Sequence, residues 1–266
     1  MKTQARIVVI GGGIVGCSTA YHLAQNGERD VLLLEKGELT SGSTWHAAGL
    51  VGQLRTDRNI TQMLKYSVEL YQKLAGLGYN TGWKKVGGIR LACTPERVKE
   101  LKKAQTTAKS FGLPFEMLSP EEAQKLFPIM STRDVICAAF LPTDGSADPS
   151  GITLALAKEA QKMGVTIQKG VRVVNILTKN GRVHKIVTDQ GEIETEIVVN
   201  CAGMWARQIG EMVGANIPLI PVQHQYLVTE PIPGIPKDLP TLRDPYHLIY
   251  YKEEMGGLVM GGYEPN

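Results

Sequence analysis

The residues best suited to chemistry stand near the start of the chain, where Gly11-x-Gly13-x-x-Gly16 directly follows the apolar run Ile7-Val8-Val9-Ile10. Between a strand and a helix, the first glycine permits a tight turn and the second lets the backbone approach a pyrophosphate. The third lets the helix pack close to the sheet. Amides at the helix start then face the phosphates. Glu35, 19 residues beyond Gly16 and at the end of a second apolar run, stands where a ribose hydroxyl would find an acceptor. An acidic group there disfavours a 2′-phosphate, and so disfavours NADP. The plainer alternative is a glycine-rich turn that binds nothing. The strand, the small helix face of Ala20 and Ala24, and the acidic residue, all in register, argue for a bound dinucleotide. The motif does not choose between a flavin and a nicotinamide.

These residues need a buried sheet to hold them. Residues 7–10 and 31–34 read as strands buried on both faces, joined by a helix over Ile14–Gln25 that stops at Asn26-Gly27. A Gly/Ser/Thr-rich loop leads to a helix over residues 59–77. The texture then changes to a strand at 83–93 with a Gly87-Gly88 bulge, a charged helix over 95–110 and a strand at 135–141. A turn at 144–149 opens an amphipathic helix, 150–163. The first texture returns after Val165, with a meander over 171–177, 183–188 and Ile193 that turns at Asn180-Gly181. A buried strand from Ile197 then runs into a glycine turn, and a helix starts at Trp205. Beyond Pro218, strands are expected near 222–229, 247–252 and 258–262. Two textures that alternate twice predict two discontinuous domains. The last residues, Gly261 to Asn266, follow a strand with no closing helix and read as a cut edge.

Composition narrows the function classes. The chain has 266 residues, 43% of them hydrophobic, and a formal net charge of +3 with no basic stripe, which points away from nucleic acid. Lys99, Lys102 and Lys103 read as a solvated helix face. Cys17, Cys93, Cys137 and Cys201 form no CxxC pair and no His/Cys cluster, so no metal site and a reducing compartment are expected. No apolar run approaches the roughly 20 residues of a spanning helix. No targeting segment precedes the first strand, and a cytoplasmic location is the default.

The loop Glu38-Leu39-Thr40-Ser41-Gly42-Ser43-Thr44-Trp45-His46-Ala47-Ala48-Gly49-Leu50 resembles the flavin-attachment loop of the dimethylglycine and sarcosine dehydrogenases, a branch of the D-amino-acid-oxidase-like FAD superfamily. The likeness extends to 198–206, His224-Gln225-Tyr226 and Gly261-Gly262-Tyr263. It implies FAD as cofactor, bonded to His46 through the flavin 8α-methyl carbon. Loss of a proton from that methyl leaves an electrophilic carbon to which a neutral imidazole nitrogen can add. The bland alternative is a polar loop histidine that touches FAD without a bond. The resemblance further assigns Gly11, Gly13, Ile14, Val15 and Gly16 to the pyrophosphate turn, and Glu35 and Lys36 to the adenosine ribose. It places Gly42 through Leu50 around the flavin, Val173 against the adenine through its backbone, and Trp205 at another cofactor contact. The implied fold class is α/β, a Rossmann-type FAD-binding domain (1–82 and 149–214) with an inserted antiparallel-sheet α+β substrate domain (83–148 and 215–266).

The implied substrate is a small N-methyl amino acid that loses a hydride to flavin N5, giving an iminium that hydrolyses to formaldehyde and the demethylated amine. The nitrogen lone pair must be free for this. The amine's ordinary pKa is close to that of lysine, about 10.4, so the site must favour the neutral form or take the proton. His224 and Tyr250 match positions beside the substrate in related N-methylglycine oxidases, although a strand histidine is more often structural. Arg55 is a candidate fork for a substrate carboxylate, with a surface salt bridge as the alternative. Oxygen and an electron-transfer flavoprotein both remain open as electron acceptor. Members of this branch usually continue into a further flavin-contacting turn and, in many, a folate-binding region. A deaminating amino-acid oxidase and a non-catalytic regulatory relative are the rival readings, and a mitochondrial matrix location applies if the chain is processed.

Overall fold

The computed structural model describes residues 2–264. In chain order its elements begin with β1 (Ile7–Ile10), α1 (Ile14–Gln25), β2 (Val31–Glu35), β3 (Leu50–Val51) and α2 (Arg58–Gly76). Next come β4 (Gly88–Ala92), α3 (Pro95–Ser110), β5 (Glu116–Leu118), α4 (Pro120–Leu126), β6 (Cys137–Leu141), β7 (Gly145–Ser146) and α5 (Pro149–Lys162). The last part holds β8 (Thr166–Lys169), β9 (Val173–Lys179), β10 (Arg182–Thr188), β11 (Gly191–Glu194), β12 (Ile197–Asn200) and α6 (Ala206–Glu211). It closes with β13 (Tyr226–Val228), β14 (Thr241–Asp244), β15 (Ile249–Glu254) and β16 (Gly257–Gly262). No described helix is long and apolar enough to cross a membrane.

Two compact units share these elements. The first comprises Met1–Ala47, Leu77–Thr81 and Asp148–Val222. Its parallel sheet runs β12-β1-β2-β8, with Ile7 beside both Val31 and Ile197. β1 and the first four residues of β2 are apolar and buried, as parallel strands covered on both faces must be, and β2 ends in the half-buried Glu35. α1 lays the small residues Gly16, Ala20 and Ala24 inward and packs on α5. A meander of order β11-β10-β9 turns at Asn180 (φ 54°) and Gly181 (φ 72°), the paired left-handed residues that a two-residue hairpin demands. Its Ile176, Ile186 and Ile193 join Val8, Ile10, Leu32 and Leu34 in one core.

The second unit comprises Ala48–Gly76, Gly82–Ala147 and Gln223–Asn266. Its sheet runs β13-β16-β15-β14-β4-β6-β5 and is antiparallel except where β14 lies parallel to β4. Ile89, Leu91, Leu242 and Leu258 pack one face onto Ala123 and Phe127. On the other face, Ala92 and Ala139 meet Leu101 of α3.

The observed grouping differs from the sequence-based boundaries at 48–76, which were expected with the nucleotide domain, and at 215–222, which were expected with the substrate domain and fall in the first unit. Strand β3 pairs with β7, the Gln53 amide donates to Asp144 Oδ1 (2.9 Å), and Lys65 Nζ donates to the Phe111 carbonyl (2.8 Å). Those bonds tie the segment to the second unit. The strand expected over 222–229 shrinks to β13. Pro218 and Pro221 lack backbone donors, and pairing with β16 starts at Tyr226. Pro265 and Asn266, part of the expected cut edge, lie outside the described residues.

Candidate functional site

The glycine turn of the first unit has the close packing its spacing predicts. Gly11 has φ +112°, and a β-carbon on it would stand 2.3 Å from the Cys201 carbonyl oxygen. One on Gly16 would stand 1.8 Å from the Gly11 carbonyl oxygen. Neither obstacle is a side chain that could swing away. The first amides of α1 have no acceptor inside the helix, and Thr44 Oγ1 accepts from the Ile14 amide at 3.0 Å. Glu35 receives the Gly12 amide on Oε2 (2.7 Å) and the Gly37 amide on Oε1 (2.8 Å). It therefore shapes the turn, and each oxygen keeps a lone pair for a ribose hydroxyl. Burial, followed by the charge of Glu35, pushes the Cys17 thiol up to about 12, so no thiolate stands beside the turn at neutral pH. Bare backbone, a helix N-terminus and an acceptor at the strand end fit a dinucleotide.

The attachment loop starts from the same turn, with the Thr40 amide donating to the Gly12 carbonyl at 3.0 Å. Ser43, Trp45, His46 and Ala47 are exposed, and Thr44 is buried. The His46 and Trp45 rings lie 3.9 Å apart. His46 Nδ1 meets the Gly42 carbonyl at 3.1 Å. A carbonyl only accepts, so Nδ1 carries the proton of the neutral ring and Nε2 the lone pair. Lys36, expected at the ribose, lies with Nζ 3.1 Å above the Trp205 ring centroid, where it makes a cation–π contact. Partial burial lowers the Lys36 pKa and nearby Arg172 adds to this, while Glu35 opposes it. A β-carbon on Gly42 would come within 3.5 Å of Trp205. The Val173 side chain is buried in the core, and the residue pairs with Thr188 across β9 and β10. Ile14 is half-buried and Val15 exposed. Ala48, Gly49 and Leu50 belong to the second unit, where the Gly49 carbonyl accepts from Ala147 and Leu50 pairs with Ser146.

On the second unit's sheet, Tyr250 lies opposite Gly261, and its ring covers that glycine. Burial raises the Tyr250 pKa and the neighbours Tyr263 and Tyr226 add to it, so the phenol keeps its proton. His224 stands in irregular backbone before β13 instead of within a strand, and it is exposed. Arg55 takes part in no ion pair among the described residues, which removes the surface salt bridge as its explanation. Its Nη1 donates to the Leu54 carbonyl (2.8 Å), and it lines a cavity with Arg90, Arg243 and Asp144. Sequence reasoning passed over Arg90 and Arg243. Arg90 had a signal, an arginine inside the apolar strand Gly88–Ala92, whereas Arg243 lies in the polar strand Thr241–Asp244, which sequence reading did not expect.

The fold also gathers Cys93, Asp244 and His247, a cluster invisible in the spacing. Asp244 Oδ2 meets His247 Nδ1 at 2.7 Å, Oδ1 accepts the Tyr246 and His247 amides, and Asp134 meets Nε2 at 3.2 Å. These bonds account for the corner as a structural one. All four cysteines are free, with Cys17 buried and the other three half-buried.

Residues 6–266 match the family model described as DAO, FAD dependent oxidoreductase. Rat mitochondrial dimethylglycine dehydrogenase is 42% identical over 99% of this chain and 31% of its own length. Mouse mitochondrial sarcosine dehydrogenase is 37% identical over 100% of this chain and 30% of its own. The crystal structure of L-proline dehydrogenase from P. horikoshii superimposes with a TM-score of 0.89 at 33% identity, covering 98% of this chain and 70% of that one. The fold and the glycine turn define a dinucleotide-dependent redox protein. More specifically, the chain belongs to the DAO family of FAD-dependent oxidoreductases. It spans about a third of the length of the curated relatives it matches.

Proposed function

We propose that this chain oxidises the C–N bond of an N-methylated amino acid of the sarcosine or dimethylglycine type, with FAD held by the first unit. One observation carries the reading. A single loop closes the phosphate turn, through Thr44 on the Ile14 amide, and presents His46 two residues later. The likeness to dimethylglycine and sarcosine dehydrogenases across the whole chain supports the substrate class.

FAD, when bound, supplies the two-electron acceptor. The Gly11–Gly16 turn and Glu35 would hold its dinucleotide end, and His46 would be the residue that carries the flavin covalently. His224 and Tyr250 orient the amine and strip its water. A phenol that keeps its proton directs by donating a hydrogen bond and does not act as the base. The natural setting is a mitochondrial matrix if the chain is processed, in line with the mitochondrial relatives.

The test has two readouts. After acid denaturation the flavin should stay with the wild-type chain and pass to the supernatant for His46→Ala. Sarcosine or dimethylglycine should bleach the flavin and release formaldehyde. A flavin that none of sarcosine, dimethylglycine, methylaminobutyrate or L-proline bleaches would refute the reading. L-Proline belongs in the panel because the proline dehydrogenase fold matches so well. Bleaching by proline alone would favour a cyclic secondary amino acid.

A further inference from the structure

We propose that Asn180, followed by Gly181 at the tip of the β9–β10 hairpin, is a site of spontaneous deamidation to aspartate and isoaspartate. Asn26-Gly27, the same dipeptide at the end of α1, is spared by the way it is folded.

The reaction needs only water. The Gly181 amide nitrogen, on losing its proton, attacks Asn180 Cγ, so that an N–Cγ bond forms and ammonia leaves. The resulting five-membered imide then takes up water at one of its two carbonyls. Opening at Cγ gives aspartate in an ordinary backbone. Opening at the α-carbonyl gives isoaspartate, in which the main chain runs through the former side chain. No electrons are exchanged, and no oxidant or reductant is required. A glycine after the asparagine leaves the approach of the nitrogen unobstructed.

Both dipeptides meet that condition, and the structure separates them. Asn26 is the C-cap of α1, with φ −83° and ψ 8°, and its amide donates to the His22 carbonyl at 2.9 Å. The Gly27 amide, which would have to attack, donates to the Ala24 carbonyl at 3.1 Å, and the Glu28 amide donates to the Leu23 carbonyl at 3.0 Å. This closed helix end ties down the asparagine and both residues that follow it. Its bonds must break before Asn26 can react.

The hairpin tip has no such ties. Among the described residues, the Gly181 amide donates to no acceptor and the Asn180 carboxamide makes no hydrogen bond. Residues 177–182 are all exposed, and a β-carbon on Gly181 would meet nothing within 4 Å. The outermost rung pairs Lys179 with Arg182, and the register shifts soon after, between Val183 and Lys185. Asn180 must leave its left-handed conformation for Cγ to reach the nitrogen. Opening of an exposed tip with so few contacts costs little. Lys179 and Arg182 then favour the charged carboxylate of the product.

Isoaspartate adds one carbon to the backbone of a two-residue loop, whose geometry allows no extra length. The outer rungs should therefore part. Ile176 and Ile186, paired beyond the register shift and buried in the core, should hold the rest of the meander. An aged chain also carries one charge less than its formal +3.

The test ages the purified full chain for days in neutral buffer. Peptide mapping by mass spectrometry then follows both asparagines, with electron-transfer fragmentation to tell isoaspartate from aspartate. Asn180 should convert more than about tenfold faster than Asn26, because bonds worth about 1.4 kcal/mol already account for a factor of ten. In concentrated urea the two rates should converge, since only folding distinguishes them. Equal rates in the folded chain, or an Asn180 that outlasts Asn26, would overturn the proposal. So would an Asn26 that stays just as slow in urea. Gly181→Ala should block the conversion, and conversion at the wild-type rate in that variant would count against the mechanism. Should the variant fail to fold, the comparison of folded with urea-treated wild type decides without it. Aged protein should show a lower Tm than fresh Asn180→Asp, which has the new charge without the extra carbon. Equal Tm values would refute the isoaspartate assignment.

Discussion

Gly261→Ala is the substitution whose consequence follows most directly from strand register. A β-carbon there would stand 2.2 Å from Tyr250 Cζ and Oη and 2.6 Å from Cε1. Carbon contacts relax at about 3.5–4.0 Å, so the ring must withdraw by at least about 1.3 Å. The obstacle is the far end of a half-buried side chain, not backbone, so the phenol swings aside and the strands stay paired. The stability loss should sit near about 1 kcal/mol, the low end for overpacking. That corresponds to roughly 2–4 °C in Tm for a chain of this size. Activity should suffer more, because misplacing a positioning group by about 1 Å costs on the order of 10²-fold in rate. Expected results are retained flavin, a slightly lower Tm and about a hundredfold lower kcat/KM for dimethylglycine with a dye acceptor. Adding Gly261→Ala to Tyr250→Ala should lower neither Tm nor activity further. Wild-type kcat/KM in Gly261→Ala would remove Tyr250 from the substrate's neighbourhood. A full Tm penalty in the double variant would show that the clash lies elsewhere.

Gly16→Ala meets backbone at 1.8 Å and has no soft partner, so it should cost about 3 kcal/mol by urea unfolding and release the flavin on gel filtration. Glu35→Ala strips the Gly12 and Gly37 amides of their acceptor, which should lower stability by about 2 kcal/mol and weaken FAD retention without touching His46. A hydrogen bond to Asp244, with Asp134 adding charge, raises the His247 pKa above its ordinary 6.5. A raised folded value stabilises fully below the unfolded pKa and fades as pH climbs through the folded one. The Tm gap between wild type and His247→Gln should therefore be widest near pH 5.5 and close toward pH 9. Exposure of the ring keeps the gap small, and a gap independent of pH would count against the pairing.

What neighbours along the chain decide was legible. The Gly11–Gly16 turn, the Asn180-Gly181 hairpin and the α1 boundaries follow from backbone sterics, small-residue spacing and capping, and the structure has them where the spacing puts them. What distant segments decide was not. Arg90 and Arg243 converge only because β14 lies parallel to β4, a pairing that no hairpin announces. The 48–76 segment was read by its helix and glycines, yet its membership is set by Asp144 and β7, almost a hundred residues on. The glycine turn, built from local backbone, was therefore readable as a conformation. In the second unit, Arg55 was singled out alone, and the two arginines that line a cavity with it were not, because they meet through sheet order.

The position of β12 beside β1 bears on how this chain is made. Ile7 finds Ile197 about 190 residues later. At about 5–20 residues per second, roughly 10–40 s of synthesis separate the two strands. During that interval one edge of an entirely apolar strand has no permanent partner, and it is open to other nascent chains. High contact order of this kind slows folding and favours association over self-completion. Yield in a cell should therefore depend on chaperone supply and on growth temperature more than on the final stability of the sheet.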